Sequence, residues 1–176
     1  LDFSFEFARP AIANHPVVLD MVHQLKYKRR IYLGPELGRL AARSFGEDPR
    51  LLEALEGKWP LVPVPLHRRR KLWRHFNQAE EIARPISQLT GLPVLNALKR
   101  LRGTESQTRL SRAQRLLNLH GAFALSRAGR DFFGKNPAGA LLVDDVFTTG
   151  ATTGECARIL RRGGVQKVVV LTVMRG

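Results

Sequence analysis

Hydrophobic periodicity divides the chain into a helical first third and a remainder that alternates between strand and helix patterns. Val17, Val18, Met21, Val22 and Leu25 recur at helical spacing, and this helix runs into Lys26-Tyr27-Lys28-Arg29-Arg30. Pro35 opens a second expected helix with Leu37, Leu40 and Ala41 on one face. Leu51, Leu52 and Leu55 fit a short third that stops at Gly57. Leu61-Val62-Pro63-Val64-Pro65-Leu66 reads as a buried strand whose prolines, unable to donate to a ladder, put it at a sheet edge or end it abruptly. Asn77 followed by Glu80 resembles a capping box, and Ala79, Ile82, Ala83, Ile86 and Leu89 form the apolar face of the helix behind it. Pro85 predicts a kink or early break there.

Residues 92–98 and 122–125 read as further strands, and 127–139 as a loop. Residues 99–118 are polar, basic and without a period, a length of loop that is usually functional or mobile. Ala140–Val146 is an apolar strand ending in two acids. A turn and a helix follow, with Thr153, Cys156, Ala157 and Leu160 on its buried face and Gly163-Gly164 closing it, then the apolar strand Lys167–Met174. Strand, helix and strand over about 35 residues make a parallel βαβ unit with a right-handed crossover expected. Its apolar runs imply a sheet covered on both faces. The expected fold is therefore α/β, a parallel sheet of about five strands flanked by helices, in one structural domain: a helical segment over 1–57 and a core over 58–176.

Composition narrows the function classes. A chain of 176 residues with 44% hydrophobic and 25% charged residues is a single globular domain rather than a disordered segment. No apolar run approaches the roughly 18–20 residues of a membrane span. The single cysteine, Cys156, excludes an internal disulfide framework and any multi-thiolate metal site within one chain, and it falls on a buried helix face. The chain opens on Leu1 rather than Met, so a natural start is expected upstream; no signal peptide is legible, and a cytoplasmic setting is expected. The net charge of +14 is localised: residues 26–30, 68–74 and 99–115 hold 15 basic residues and one acid, Glu105, and the rest is neutral. If these segments converge, they make a site for a polyanion; if not, they are solvated faces.

The sharpest chemical signal is Leu141-Leu142-Val143-Asp144-Asp145-Val146-Phe147-Thr148-Thr149-Gly150-Ala151-Thr152-Thr153. Ligands of open α/β sheets bind beyond the carboxyl ends of the strands, where this turn falls. Gly150 is expected to let the backbone approach an anion, the free N–H groups at the following helix start suit a phosphate, and Thr148, Thr149 and Thr152 add hydroxyl donors. Asp144 and Asp145 would repel a phosphate, so they should face sugar hydroxyls or a metal ion. Acids for a ribose beside a nest for its phosphate describe a ribose 5-phosphate site.

This stretch resembles the phosphoribosyl-pyrophosphate (PRPP) motif of type I phosphoribosyltransferases: apolar residues, two acids, then Thr-Thr-Gly-x-Thr. Val62-Pro63-Val64-Pro65-Leu66-His67-Arg68-Arg69-Arg70 and Arg74-His75-Phe76-Asn77-Gln78-Ala79 resemble the signature of the ComF family of competence-associated, phosphoribosyltransferase-like proteins. Leu25-Lys26-Tyr27, Gln107-Thr108-Arg109-Leu110-Ser111, Arg115, Asn118 and Gly121-Ala122-Phe123 fit in order, so the resemblance covers roughly residues 5–175. Members often begin with a cysteine-rich zinc module that nothing here matches, so zinc is not carried over.

The resemblance implies that Asp144 and Asp145 bind the ribose hydroxyls and serve catalysis. It implies that Thr148, Thr149, Gly150, Ala151 and Thr152 hold the 5′-phosphate, and that His67, Arg68, Arg69 and Arg70 lie in the pyrophosphate loop. Guanidinium forks suit pyrophosphate oxygens. Residues 99–118 would be the lid that keeps water from an oxocarbenium-like ribosyl carbon, with Arg100, Gln107, Arg112 and Arg115 reaching the pyrophosphate. Mg²⁺ would bridge ligand oxygens with few protein ligands, Asp144 or Asp145 among them. Residues 1–57 would form part of a hood over the site. His67 and His75 are not assigned acid–base roles, and Trp59 and Trp73, as isolated aromatics, are expected to pack or lie at an interface.

Three functions are in competition. The first is Mg²⁺-dependent phosphoribosyl transfer with release of pyrophosphate. The second is a competence or DNA-uptake factor that senses PRPP or a nucleotide and binds single-stranded DNA or DNA-processing proteins. The third is a non-catalytic regulator of the same fold. Neither the acceptor nor the oligomeric state is encoded in any motif.

Overall fold

The computed structural model describes residues 3–103 and 112–176. The N-terminal part comprises β1 (Phe7–Ile12), α1 (Pro16–Tyr27), α2 (Leu33–Ala42), α3 (Ser44–Glu47), a 3₁₀ turn over Pro49–Leu51 and α4 (Leu52–Glu56). The middle holds β2 (Leu61–Pro63), α5 (Arg68–Arg74), α6 (Gln78–Thr90), β3 (Leu98–Arg100), α7 (Arg112–Leu119) and β4 (Phe123–Leu125). The C-terminal part is α8 (Arg127–Phe133), β5 (Gly139–Phe147), α9 (Ala151–Arg162) and β6 (Lys167–Arg175).

The apolar runs of β5 and β6 place them at the centre of a parallel sheet of order β1-β6-β5-β2. Side chains alternate between its faces. Leu141, Val143, Val169 and Leu171 meet Val22, Leu25, Leu37, Ile82 and Ile86 on one side. Ala140, Leu142, Val168 and Val170 meet Cys156, Ala157, Leu160, Phe123 and Phe133 on the other. Both faces are therefore covered, as the continuous apolar runs require. No helix among the described residues is long and apolar enough to cross a membrane.

Several expectations are corrected. The segment over 1–57 is not wholly helical, because Phe7–Ile12 adds the edge strand β1, with Pro10 opposite Thr172. A proline is tolerated there because an edge strand has one side without a ladder. The main sheet has four strands; at the outer edge of β2 only Val94 adds a bridge, to Leu61, where a fifth strand was expected. Part of the 92–98 run instead enters β3, which pairs antiparallel with β4. The loop expected over 127–139 begins as α8, because the Ser126 hydroxyl accepts the Gly129 N–H at 3.0 Å and Gly129 and Phe133 are buried one turn apart. Within the aperiodic 99–118 stretch, residues 112–119 form α7.

Helix α6 runs unbroken through Pro85. Its cap differs slightly from a capping box: Asn77 Oδ1 accepts the Ala79 N–H and Asn77 Nδ2 donates to the Val64 carbonyl, both at 3.0 Å, tying the helix start to the end of β2. Glu80 pairs instead with Arg84. Pro85 faces α2 where Gly38 removes a side chain: a Cβ there would run into Pro85 Cγ and lie 2.6 Å from the Ile82 carbonyl oxygen. Gly38→Ala is accordingly expected to destabilise the fold by about 1–3 kcal/mol, read as a lower urea midpoint with unchanged m-value, through loss of this backbone contact.

Candidate functional site

Beyond β5 the chain turns through residues 148–150 into α9. Gly150 caps the helix in the left-handed region at φ 77°. Thr149 Oγ1 accepts the Ala151 N–H, and Thr153 Oγ1 donates to the Gly150 carbonyl, each at 3.3 Å. The Thr152 and Thr153 N–H groups take no partner within the described residues and point from the positive end of α9. Asp144 and residues 146–153 line a small, open cleft there. A Cβ at position 150 would also meet the Phe3 ring at 2.9 Å and the Phe147 ring at 3.1 Å, in a loop braced from behind by Phe3, Phe5 and Phe147.

The two acids diverge. Being adjacent in a strand, they leave opposite faces of the sheet. Asp144 lines the cleft with the threonines. Asp145 is 3% exposed and turns to α1, where Lys26 Nζ lies 2.8 Å from its Oδ2 while its Oδ1 accepts the Val146 N–H at 2.7 Å. Burial, and secondarily the Asp145 charge, push the Asp144 carboxyl up to about 7, with Lys26 opposing. For Lys26, burial works against the charged form, yet the charge and hydrogen bond of Asp145 hold the ammonium above its usual range.

The three basic segments converge here. Lys26 comes from the first, Arg74 of the second acts electrostatically on Asp145, and Arg100 of the third acts on Asp144, with Arg70 coupled to both arginines. Arg74 is 6% exposed; its Nη1 donates to Gln78 Oε1 at 2.9 Å and its Nε has no hydrogen-bond partner. Burial pulls both guanidinium groups below their usual range. Arg68, Arg69 and Arg70 are exposed on the first turn of α5, so the expected loop is a short link from Val64 to His67 that enters a helix at once. His67 lies beside Gly103, 3.3 Å from where a Cβ would stand, so the 100–103 segment borders the same link. Gln107 falls outside the described residues; Arg112 and Arg115 lie on α7, which packs on α9.

Lys26 and Arg74 are the candidate-site residues that motif reading passed over. Both stood within the quoted resemblance and the basic segments, but only the fold brings them to Asp145. Cys156 is fully buried, its thiol pushed well up by burial and then by Asp144, as befits a core residue. Trp59 is buried against Gly139, whereas Trp73 is half exposed. A larger cleft of about 1050 Å³ opens at the other end of the sheet, beside Trp59, Pro93 and Phe132, and no expected site residue lines it.

For a magnesium ion held mainly by its ligand's oxygens, Asp144 is the carboxylate this chain offers in the cleft. Among the described residues no three His, Cys, Asp or Glu side chains gather, and the outer oxygen of Asp145 already faces an ammonium. Mg²⁺ in phosphate sites keeps most of its waters and takes one or two carboxylates together with ligand phosphates, so no all-protein cage is required.

A carboxyl whose folded-state pKa is raised contributes stability that is full below its usual 3.8 and is lost as pH climbs through about 7. Asp144→Asn removes that loss. The variant is expected to be more stable than the parent by about 1–2 kcal/mol near pH 8 and equal to it near pH 4, in urea titrations at both values. Solvent at the partly exposed Asp144 keeps the gain below the full shift.

No protein-family model and no solved structure matches the chain. It is 31% identical over 156 residues to competence protein F of Haemophilus influenzae, spanning 88% of this chain and 66% of that protein. It is 33% identical over 171 residues to DNA utilization protein YhgH of Escherichia coli, spanning 91% and 68%. Competence protein ComFC of Bacillus subtilis is 30% identical over 116 residues, 65% of this chain and 44% of that protein. The chain thus spans about two thirds of the first two. Similarity running through both the strand-end acids and the basic segments establishes that the chain belongs to the ComF family, with competence protein F and YhgH.

Proposed function

We propose that this protein binds PRPP at the end of β5 and transfers its phosphoribosyl group, releasing pyrophosphate, in a cytoplasmic process of DNA utilisation or uptake. The observation that carries the reading is the continuity of one surface: Asp144, the threonines and the unpartnered first-turn N–H groups of α9 share a single cleft. Hydrogen-bond acceptors at one end and donors at the other match a sugar bearing a phosphate, and not a bare anion or a bare sugar. In the transfer, a bond forms from the acceptor to the ribosyl carbon as its bond to pyrophosphate oxygen breaks. Pyrophosphate leaves with the bonding pair, and the acceptor proton passes to solvent. Mg²⁺ enters bound to the pyrophosphate, as part of the substrate. Arg70 and Arg100, on neighbouring elements and electrostatically coupled, are the cations offered to that leaving group. The DNA link comes from the names of the relatives.

Calorimetry with PRPP and Mg²⁺ tests this. Asp144→Asn is expected to weaken binding about tenfold or more, because the carboxylate acceptor that lines the cleft becomes a neutral amide. Arg127→Ala, whose side chain is 91% exposed on α8, should stay within about twofold. No PRPP binding to the full-length protein would overturn the reading, and binding with no pyrophosphate release for any acceptor would reduce it to a PRPP-sensing regulator.

A second reading, contact with single-stranded DNA, is favoured by a separate observation. Tyr27, Tyr32 and Trp73 are 61%, 62% and 50% exposed beside the basic segments, and the Arg29 guanidinium sits 4.8 Å over the Trp73 ring. Exposed rings among cations suit stacked bases and a phosphate backbone. Fluorescence anisotropy at low salt is expected to give binding of about 1 μM or tighter, falling steeply with salt and weakened about fivefold or more in Trp73→Ala. Absent or salt-independent binding overturns it.

A further inference from the structure

Two carboxylates beside a phosphate-binding helix end pose an electrostatic problem. A ribose 5-phosphate brings a dianion to a cleft bordered by Asp144, with Asp145 next to it in the chain. Some cation must offset that repulsion, and a divalent ion is the usual means. Here a cation from the chain itself already stands beside the second acid, Lys26 Nζ lying 2.8 Å from Asp145 Oδ2.

Lys26 is held by its neighbours. It is in the last turn of α1, beside fully buried Leu25, and Val22 anchors the preceding turn. Its ammonium reaches Asp145 at 2.8 Å and acts on Asp144 as well, so one charge serves both acids. Three donors are available on an ammonium and the ion pair engages one direction. Its side chain keeps 22% of its surface on the Asp145 face of the sheet, so its charge acts on the cleft through the acids rather than by direct contact. Behind it, the Arg74 guanidinium, buried and with Nε unpartnered, keeps a second positive charge within electrostatic reach of Asp145. Two cations thus flank the acids on the face opposite the cleft.

We propose that Lys26 is the built-in counter-cation of the sugar site, so that ribose 5-phosphate binds between the acids and the α9 start without a divalent metal. The proposal rests on the sugar-phosphate reading above and deepens it: metal accompanies the pyrophosphate, not the ribose monophosphate. Lys26 acts as a positioning residue, orienting and neutralising Asp145 rather than touching the reacting carbon.

The test is calorimetry of ribose 5-phosphate with the full chain, in EDTA and again in excess Mg²⁺. The wild-type affinities are expected to agree within about twofold. Lys26→Met leaves Asp145 uncompensated and is expected to lose about tenfold or more in EDTA, with Mg²⁺ recovering most of the loss. The double variant Lys26→Met with Asp145→Asn, which removes the stranded charge, should bring the ratio of the two affinities back to within about threefold, whatever its absolute affinity. A merely structural lysine would not alter metal dependence. Wild-type binding that appears only with Mg²⁺ overturns the proposal and leaves the sugar-phosphate reading standing, as does a Lys26→Met variant that binds in EDTA like the parent. Absence of binding under both conditions overturns both. Should Lys26→Met fail to fold, the wild-type comparison and the double variant still decide the matter.

Discussion

A β-strand sends successive side chains to opposite faces, and that constraint governs the working end of this protein. Two aspartates in sequence at the tip of β5 cannot share one environment. Asp144 is left to the face of α9 and Arg100, Asp145 to the face of α1 and Arg74. A chain that retains both acids therefore needs positive charge on both sides of its central sheet. The three basic segments, far apart in sequence, deliver it from both, which explains why a +14 chain concentrates its excess so narrowly.

The arrangement is costly to the fold. Moving a carboxylate and an ammonium out of water consumes most of what their attraction returns, and an apolar pair of the same volume commonly does as well. Val143 and Val146 flank the acids, so valine at these positions would continue β5 without either acidic charge. Asp144, whose carboxyl is driven upward by burial and by its neighbour, is a net burden above neutral pH. Groups that lower stability and still meet at the mouth of a cleft are the expected signature of a site in which strain and charge serve a ligand.

What could be read from the sequence follows the same physics. The βαβ unit was legible because uninterrupted apolar runs flank a helix with its own caps, and the threonine loop because all its groups are contiguous. Strand β1 was not: its six residues are all half-buried, and Arg9-Pro10 breaks the pattern of a core strand, as only an edge permits. Helix α5 was hidden by three consecutive arginines with no acid in its first turn, a poor match to the helix dipole that tertiary anchoring of Arg74 and Phe76 overrides. Lys26 stood within the quoted resemblance, but its pairing with Asp145 could not be read, since nothing in the local chemistry distinguishes it from Lys28. Only the packing of α1 across the end of the sheet makes one of them a partner of Asp145 and leaves the other in solvent.

That packing also joins the two candidate surfaces. Lys26 and Tyr27 are consecutive in the last turn of α1, one turned inward to the acids and the other outward, and the Arg74 guanidinium sits 5.5 Å from the Tyr27 ring while acting on Asp145. Trp73, its neighbour on α5, carries Arg29 on its outer face. If a sugar phosphate occupies the cleft on the α9 face and a nucleic-acid strand the outer side of α1, the two anions draw on one positive field from opposite faces of the sheet. By linkage each then changes the affinity of the other by the same factor. Because they compete for shared charge, the coupling is negative, and screening weakens it as salt rises.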